Sequence, residues 1–241
     1  MNPRTRIGIV TPSSNTALEP LTSAIVAELP NVSVHFARFT VTEIALSAAA
    51  LDQFNAERIL VAARQLADAR VDVIGWSGTS AGWLGFERDA ALCRGIAQAT
   101  GIPATTSVLA LNELLERTGV RRLGLVTPYL DDVQQRIMRQ YAQLGIDCVA
   151  EQHLGLRDNY SFAEVPDTQL AALMRKAAQA RPDAVTTFCT NLHAAHLAGS
   201  FEEATGIAAY DTVSTVVWKA LRMAGIDTHG LARWGRLFGM H

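Results

Sequence analysis

The stretch Arg181-Pro-Asp-Ala-Val-Thr-Thr-Phe-Cys-Thr-Asn-Leu192 contains a short apolar and β-branched run, followed by a cysteine and polar residues. Such a run between turn residues is typical of a buried parallel strand. The same construction occurs earlier as Val71-Asp-Val-Ile-Gly-Trp-Ser-Gly-Thr-Ser80. Aligning the two stretches pairs Gly78 with Cys189. We interpret each stretch as a strand that leads directly into a helix, and only the later strand end carries a thiol.

Other segments repeat in the same order along the chain. Arg6-Ile-Gly-Ile-Val-Thr-Pro12 recurs as Arg122-Leu-Gly-Leu-Val-Thr-Pro128, and Thr100-Gly-Ile-Pro-Ala104 recurs as Thr205-Gly-Ile-Ala-Ala209. Solenoid repeats have periods of roughly 20–50 residues, so a much longer period indicates two similar domains. The repeats therefore predict a duplicated α/β unit.

Each half alternates short apolar runs with stretches of helical periodicity, which is typical of parallel strands joined by helices. The sequence predicts two similar Rossmann-like domains, 1–117 and 118–241, related by a pseudo-twofold axis, with an active site in the cleft between them. The tail at 225–241 shows no regular pattern, and packing back on the first half is one placement for it. Further predictions are strands at Val32–Phe39 and Ala208–Asp211, helices at Leu51–Ala69 and His193–Thr205, and a bend at Ala81–Gly85.

Composition narrows the functional class. The formal net charge is −2 and 49% of residues are hydrophobic, without the clustered basic face of a nucleic-acid-binding protein. The N-terminus lacks the apolar region of a signal peptide, and no apolar run is long enough for a membrane span. The count of 3 cysteines is odd, which disfavours a disulfide framework. We expect a soluble cytoplasmic protein with free thiols and no nucleic-acid or membrane partner. Whether it forms a homo-oligomer stays open.

Cofactor motifs are not found in the sequence. No G-x-G-x-x-G or Walker loop follows the first strand, and Lys176 and Lys219 both fall in helical runs, away from strand ends. His193 and His196 have an i, i+3 spacing, but the local sequence offers no third ligand, so we expect helix-surface positions for them. We therefore expect a protein that works without a metal or an organic cofactor.

The expected strand ends carry hydrogen-bond donors and one thiol. Such ends share one edge of a parallel sheet, and the long polar loop Gly155–Ser161 is expected to cover that edge. Donors of this kind stabilise a developing enediolate, while a thiol moves a proton to or from the α-carbon. We expect a helix N-terminus to lower the thiol pKa from about 8.5 toward neutrality. Trp76 and Trp83 are expected to fill the interface between the halves. The candidate site residues are Pro12, Ser13, Asn15, Gly78, Thr79, Ser80, Tyr129, Asn159, Cys189, Thr190 and Asn191.

These features resemble the aspartate/glutamate racemase superfamily over essentially the whole chain. That superfamily usually has a cysteine at each of the two twinned strand ends, and Gly78 stands at the first of them. A glycine there is similar to the arylmalonate decarboxylase branch. The further residues that match this branch are Gly78-Thr79-Ser80, Gly119-Val-Arg-Arg122, Tyr129, Asp131-Asp-Val133, Cys189 and Gly235-Arg-Leu-Phe238.

The resemblance implies a cofactor-independent decarboxylase. Thr79, Ser80 and Tyr129 would form a dioxyanion hole for one carboxylate of a malonate-type substrate, and the other carboxylate would leave as CO₂. Cys189 would then protonate one face of the enediolate. An apolar pocket would disfavour the departing carboxylate, while fixed donors would meet the charge that forms.

Other segments resemble the maleate isomerase branch. Pro12-Ser-Ser-Asn-Thr16 and the Asp158-Asn159 loop match that branch, in which Asn15, Tyr129 and Asn159 would grip the carboxylates of a small dicarboxylate. Thr190 and Asn191 also replace the two glycines that follow the cysteine in arylmalonate decarboxylases. Three functions therefore stay open: a decarboxylase, an isomerase or racemase of the maleate or aspartate/glutamate type, and a catalytically silent diacid-binding protein.

Overall fold

The first half of the chain forms a four-stranded parallel sheet with the strand order β2-β1-β3-β4. A computed structural model describes residues 4–240. Helices flank the sheet, because its strands are buried apolar runs that must be covered on both faces. The elements are β1 (Thr5–Pro12), α1 (Leu18–Val26), β2 (Val32–Phe39), α2 (Ala48–Asp52), α3 (Ala56–Asp68), β3 (Val73–Trp76), α4 (Ala81–Leu84), α5 (Phe86–Thr100), β4 (Ala104–Thr106) and α6 (Ser107–Arg117).

The second half repeats this plan. Its sheet is also parallel, and its strand order, β6-β5-β7-β8, is the same as that of the first sheet. The predicted α/β fold with two similar domains is confirmed. The elements are β5 (Arg122–Thr127), α7 (Asp131–Gln143), β6 (Asp147–His153), α8 (Asp167–Ala178), β7 (Ala184–Thr187), α9 (Ala198–Thr205), β8 (Ala208–Asp211) and α10 (Thr212–Met223).

The duplication extends to the turns before the central strands. Asp72 accepts a hydrogen bond of 2.7 Å from a backbone N–H of β1, and Asp183 accepts one of 2.8 Å from the equivalent N–H of β5. Two residues before each aspartate, Arg70 and Arg181 both have left-handed backbone conformations, with φ of 52° and 49°. A non-glycine residue rarely adopts this conformation, so its recurrence at twinned positions supports a common origin for the halves.

A large hydrophobic cluster spans both halves. Helices α6 and α10, which follow the last strand of each sheet, pack against each other, and α10 also packs on β3 of the first sheet. The approach is close, because a Cβ atom on Gly75 of β3 would lie 2.8 Å from Val216 Cγ2 of α10. This packing fixes the strand ends of one half relative to those of the other.

The tail contacts both halves of the protein. Its 3₁₀ turns, His229–Trp234 and Arg236–Gly239, pack on α9, β8 and α10 of the second half. The Arg233 and Trp234 side chains also donate hydrogen bonds to Glu28, which follows α1 in the first half. Across residues 4–240, no helix combines the length and the apolar character needed to cross a membrane.

Two predicted connections differ in the structure. The single helix predicted over Leu51–Ala69 is two helices, α2 and α3, because Asn55 caps α3 by accepting a hydrogen bond from the Glu57 backbone N–H. The segment Ala81–Gly85, predicted as a bend, is helical as far as Leu84 and turns at Gly85, where φ is 110°.

The helix predicted over His193–Thr205 begins only at Ala198, after a short 3₁₀ turn. Asn191 accepts hydrogen bonds from the backbone N–H groups of Thr16 and Ala17 in the first half. These bonds hold the segment after Cys189 in a turn. The thiol therefore does not lie at the N-terminus of an α-helix, contrary to the prediction.

Candidate active site

A small cavity lies where the carboxyl ends of both sheets meet. Its volume is about 20 Å³, which is room for about one water molecule. The cavity takes residues from both halves, as the cleft predicted from the duplication requires. Its lining consists of Pro12, Ile44, Phe54, Trp76, Gly78, Thr79, Ser80, Trp83, Tyr129, Asn159, Cys189 and Thr190.

Three polar side chains in this cavity form a connected group. The Thr79 hydroxyl and the Tyr129 phenol share a hydrogen bond of 2.7 Å, and Tyr129 also hydrogen-bonds the Cys189 thiol. Ser80 follows Thr79 at the start of α4, yet among the described residues its hydroxyl makes no capping hydrogen bond. The hydroxyls of Thr79 and Ser80 are therefore not used for helix capping, the structural role that their positions would otherwise suggest.

The Cys189 thiol is held in its protonated form. Burial raises the pKa of Cys189 to about 12, and the nearby Asp211 carboxylate contributes in the same direction. The phenol of Tyr129 and the backbone N–H of Asn191, 3.4 Å from Sγ, oppose the shift without cancelling it. The predicted lowering of the thiol pKa toward neutrality is wrong, because no α-helix begins at this residue and burial disfavours the thiolate.

Tyr129 stays protonated as well. Burial, followed by the neighbouring Cys189, raises the pKa of the Tyr129 phenol well above its ordinary value, and the Thr79 hydroxyl only partly opposes this. A neutral phenol and a neutral hydroxyl can both donate hydrogen bonds. The group can therefore receive a substrate carboxylate without electrostatic repulsion.

The predicted amide residues are divided between the cavity wall and its support. Asn159 lines the cavity and donates a 2.8 Å hydrogen bond to the Ser14 hydroxyl. Asn15 lies behind the wall, where its amide nitrogen is 3.3 Å from Thr190 Oγ1 and its oxygen accepts from the N–H of Leu18 in α1.

Ser13 and Asn191 also stand outside the cavity lining. The Ser13 hydroxyl accepts a hydrogen bond from the Val41 backbone N–H. The Asn191 amide nitrogen donates to the backbone carbonyl of Asn159, and the Asn191 amide oxygen accepts a hydrogen bond from the Thr16 backbone N–H in the first half. Their polar groups support the loops around the cavity, whereas Pro12, Gly78, Ser80 and Thr190 face it.

Aromatic residues form much of the cavity wall. Trp83 packs edge-on to Tyr129 at 5.3 Å and to Phe54 at 5.8 Å between ring centroids. The tryptophans predicted to fill the interface, Trp76 and Trp83, are buried and line the cavity as well. Sequence reasoning missed Ile44 and Phe54, because they come from the connection after β2, where no motif marks them.

A separate polar cluster lies on the surface beside the segment after Cys189. His193 Nδ1 and His196 Nε2 lie 3.3 Å and 2.8 Å from the two carboxylate oxygens of Asp167, whose pKa the two histidines lower against the opposing effect of burial. The three side chains have the spacing of a metal site. Within residues 4–240 the other ring nitrogen of His196 has no hydrogen-bond partner, although metal-bound histidines usually have one there. We interpret the cluster as a pair of surface contacts between the start of α8 and the segment that follows β7.

The duplicated α/β fold and the single thiol at its shared edge define a racemase-like class of two-domain protein. Residues 7–238 match the family model described as arylmalonate decarboxylase, and the chain belongs to this family. Arylmalonate decarboxylase from Bordetella bronchiseptica is 30% identical over 185 residues, 76% of this chain and 77% of that protein.

Solved structures of two enzymes share the fold. A Nocardia farcinica maleate cis-trans isomerase mutant, with a covalently bound succinylcysteine intermediate, superposes with a TM-score of 0.88 at 23% identity, covering 97% of this chain and 98% of that chain. A liganded arylmalonate decarboxylase mutant superposes with a TM-score of 0.82 at 26% identity, covering 98% of both. The two likenesses establish the fold. The family is established by the family model and the Bordetella relative, and decarboxylation and isomerisation are left as the reactions to compare.

Proposed function

We propose that this protein is a cofactor-independent decarboxylase of α-substituted malonate-type dicarboxylates. The observation that carries the proposal is the protonated Cys189 thiol, which lines the same cavity as the donors Thr79, Ser80 and Tyr129. A decarboxylase of this kind needs one proton donor and one set of carboxylate donors. An isomerase that attacks a double bond through sulfur needs a thiolate.

The reaction begins with one substrate carboxylate on the three donors. Loss of CO₂ breaks the bond between the α-carbon and the other carboxylate, and its electron pair moves onto the retained carboxylate as an enediolate. The neutral hydroxyls of Thr79 and Ser80 and the phenol of Tyr129 donate to this charge as it develops. Preorganised donors in a dry site stabilise it without solvent reorganisation.

Cys189 completes the reaction. Its S–H proton moves to the α-carbon, which forms the new C–H bond of a monocarboxylate and leaves a thiolate. Water then restores the thiol proton, so each turnover consumes one proton and releases one CO₂. A pKa of about 12 does not prevent this step, because an enediolate carbon is a much stronger base than a thiolate. Since Cys189 is the one thiol that borders the cavity in the described part of the chain, protonation takes place on one face of the substrate.

A maleate-type isomerase is the second candidate. The likeness to maleate isomerase structures favours it, as does the position of Asn159 and Thr190 in the cavity lining. Asn15 also supports Thr190 from behind the wall. The weakness of this candidate is the glycine at position 78, where an isomerase of this branch would place its first cysteine.

A substrate assay separates the candidates. The protein is incubated in D₂O with methyl(phenyl)malonate or with maleate, and CO₂, fumarate and deuterium at the α-carbon are followed. The proposal expects CO₂ and a single deuterated enantiomer from the malonate. Fumarate from maleate would instead establish isomerisation, and tight binding of both diacids without any product would indicate a binding protein.

The thiol is tested by substitution. Cys189→Ala should lower turnover of methyl(phenyl)malonate at least about 100-fold, because general acid catalysis contributes about 10²–10⁴-fold. Cys148→Ala is the matched control, since this thiol is also raised in pKa to about 12 but lies in β6, outside the cavity. Equal rates for Cys189→Ala and the native protein would contradict the proposed mechanism.

A further inference from the structure

The indole of Trp76 occupies the space that a side chain at position 78 would need. Gly78 and Trp76 both line the cavity, and the ring is fully buried. A Cβ atom on Gly78 would overlap three atoms of the six-membered part of the indole, Cζ2, Cη2 and Cε2, the last at 2.6 Å. Any residue other than glycine therefore requires the ring to move.

Two features hold the ring in this position. It packs against Phe39 of β2 with 5.2 Å between ring centroids, and Trp76 itself is the last residue of β3, hydrogen-bonded in register with β4. The ring nitrogen has no hydrogen-bond partner among the described residues, so the indole holds its place through packing alone.

The second half shows what a strand end with a thiol requires. The residue two before Cys189 is Thr187, the twin of Trp76, and its short side chain turns to Asp211 in a hydrogen bond of 2.6 Å. Nothing bulky from that position reaches the thiol. In the second half, the small residue Thr187 accompanies Cys189 two positions later. In the first half, the bulky Trp76 accompanies Gly78 in the same way.

We propose that Trp76 is the specificity-determining residue that limits this site to one thiol, and so to protonation on one face. The inference rests on the proposed decarboxylase function, which supplies the enediolate that a second thiol would protonate. It extends that function by assigning the loss of the first half-site to a packed side chain as well as to the missing sulfur. Replacement of Gly78 alone is then insufficient to restore two-thiol chemistry.

A smaller residue at position 76 would connect the site to a neighbouring cavity. A second cavity of about 490 Å³ lies between α3 and α5, and Phe54, Trp76 and Ser80 border both cavities. Shortening Trp76 joins the two spaces. The site then gains the room that both a cysteine at position 78 and a substrate approached from a second face require.

The first experiment does not depend on activity. The Tm is measured for the native protein, Gly78→Cys, Trp76→Thr and the double variant, with Trp76→Leu as a milder partner if the threonine variant does not fold. Gly78→Cys should lower the Tm by about 5 °C or more in the native background, because overpacking a rigid core is destabilising, and by much less beside Thr or Leu. An equal loss in both backgrounds would overturn the steric assignment, whatever the protein's reaction.

The second experiment measures the face of proton transfer. Each variant is incubated in D₂O with the separate enantiomers of 2-phenylpropanoate, the product acid of methyl(phenyl)malonate. Only when Gly78→Cys is combined with the smaller residue at position 76 should both enantiomers exchange their α-hydrogen for deuterium. Racemisation by that double variant should be at least about 10-fold faster than by the native protein. Racemisation by Gly78→Cys alone at the same rate as the double variant would overturn the proposal, as would a double variant that decarboxylates but exchanges one hand only. If neither the native protein nor any variant decarboxylates, the proposed function is contradicted instead. The Tm series would still test the steric role of Trp76.

Discussion

Tyr129 joins the donors of the first half to the thiol of the second. Its hydroxyl meets Thr79 at 2.7 Å and also contacts Cys189, while its ring packs against Trp83 and Phe162 with centroid distances of 5.3 and 5.7 Å. The ring contacts fix the direction of the hydroxyl before substrate arrives. A donor that is already oriented stabilises a developing charge more strongly than one that must rotate into place.

Tyr129→Phe removes this hydroxyl and keeps the ring. We expect kcat for decarboxylation to fall about 10²–10³-fold, the usual cost of losing one oxyanion donor, while the Tm changes by only a few degrees. The measurement is kcat and KM with methyl(phenyl)malonate, together with thermal unfolding. A matched control is Tyr141→Phe, because that phenol is also buried but has no hydrogen-bond partner in the described part of the chain. Equal kcat values in the two variants would contradict the role of Tyr129.

At the scale of elements, a buried acid links α5 to the start of α6. Asp89 accepts a hydrogen bond of 2.5 Å from the hydroxyl of Thr106, the residue that caps α6. Burial raises the pKa of Asp89 to about 7, and the Thr106 hydroxyl only partly opposes this shift. The carboxyl group is therefore neutral below about pH 7 in the folded protein, although in an unfolded chain it would ionise near its ordinary pKa of 3.8.

This difference gives the stability a pH dependence with a defined sign. Between about pH 4 and pH 7 the folded state holds a proton that the unfolded state releases, so the contribution of Asp89 falls as the pH rises. The upper bound is about 1.4 kcal/mol per pH unit in that window. Asp89→Asn, which does not titrate, should have a higher Tm than the native protein at pH 8, by several degrees, and a similar Tm near pH 4.

Asp183 provides a control, because its contribution to stability changes with pH in the opposite direction. The backbone N–H groups of Arg121 and Arg122 lower the pKa of Asp183, so its contribution to stability is present above the unfolded pKa and is lost as the pH falls. Asp183→Asn should therefore lower the Tm at pH 7 and have less effect at pH 3. An Asp89→Asn protein with the same Tm difference from native at every pH would contradict the assigned pKa.

Elements with strong local patterns were predictable from the sequence. Val32–Phe39 and Ala208–Asp211 have the predicted bounds, because alternation and short apolar runs are read from neighbouring residues alone. The helix start at Ala198 was missed, because it depends on hydrogen bonds that Asn191 accepts from the first half of the chain. Local periodicity carries no information about such a partner.

The candidate site was predictable in its position but not in its electrostatics. The duplication alone brings Gly78, Tyr129 and Cys189 to one edge, and the structure has them in one cavity. The raised pKa of Cys189 follows from how deeply the halves bury it, and the overlap at Gly78 follows from the direction of the Trp76 ring. Both properties arise from tertiary packing, which the spacing of residues does not encode.

At the scale of the whole molecule, two loops from opposite halves meet at the edge of the cavity. The residues Thr42–Ile44 pair with Arg157–Asn159 as an antiparallel bridge, which we call the clasp. The Ile44 N–H donates to the Arg157 carbonyl at 3.1 Å, and the Asn159 N–H donates to the Thr42 carbonyl at 3.0 Å. Asn159 and Ile44 also line the cavity, so opening the clasp moves part of the wall.

The cavity requires such an opening, since about 20 Å³ holds one water, whereas sites for small ligands have volumes of about 300–1,000 Å³.

Within the clasp, Glu43 and Asp158 face each other as a pair without mutual hydrogen bonds, and the Cα atoms of such a pair lie about 4.5 Å apart, within the range of a disulfide. Replacing both with cysteine and oxidising should lock the clasp and reduce turnover at least about 10-fold, with recovery on reduction. Each single variant under the same oxidant is the control, because the native thiols at Cys93, Cys148 and Cys189 all have pKa values raised to about 12 and react slowly. Full turnover by the oxidised double variant would mean that substrate enters and product leaves by another route, without separation of these two loops.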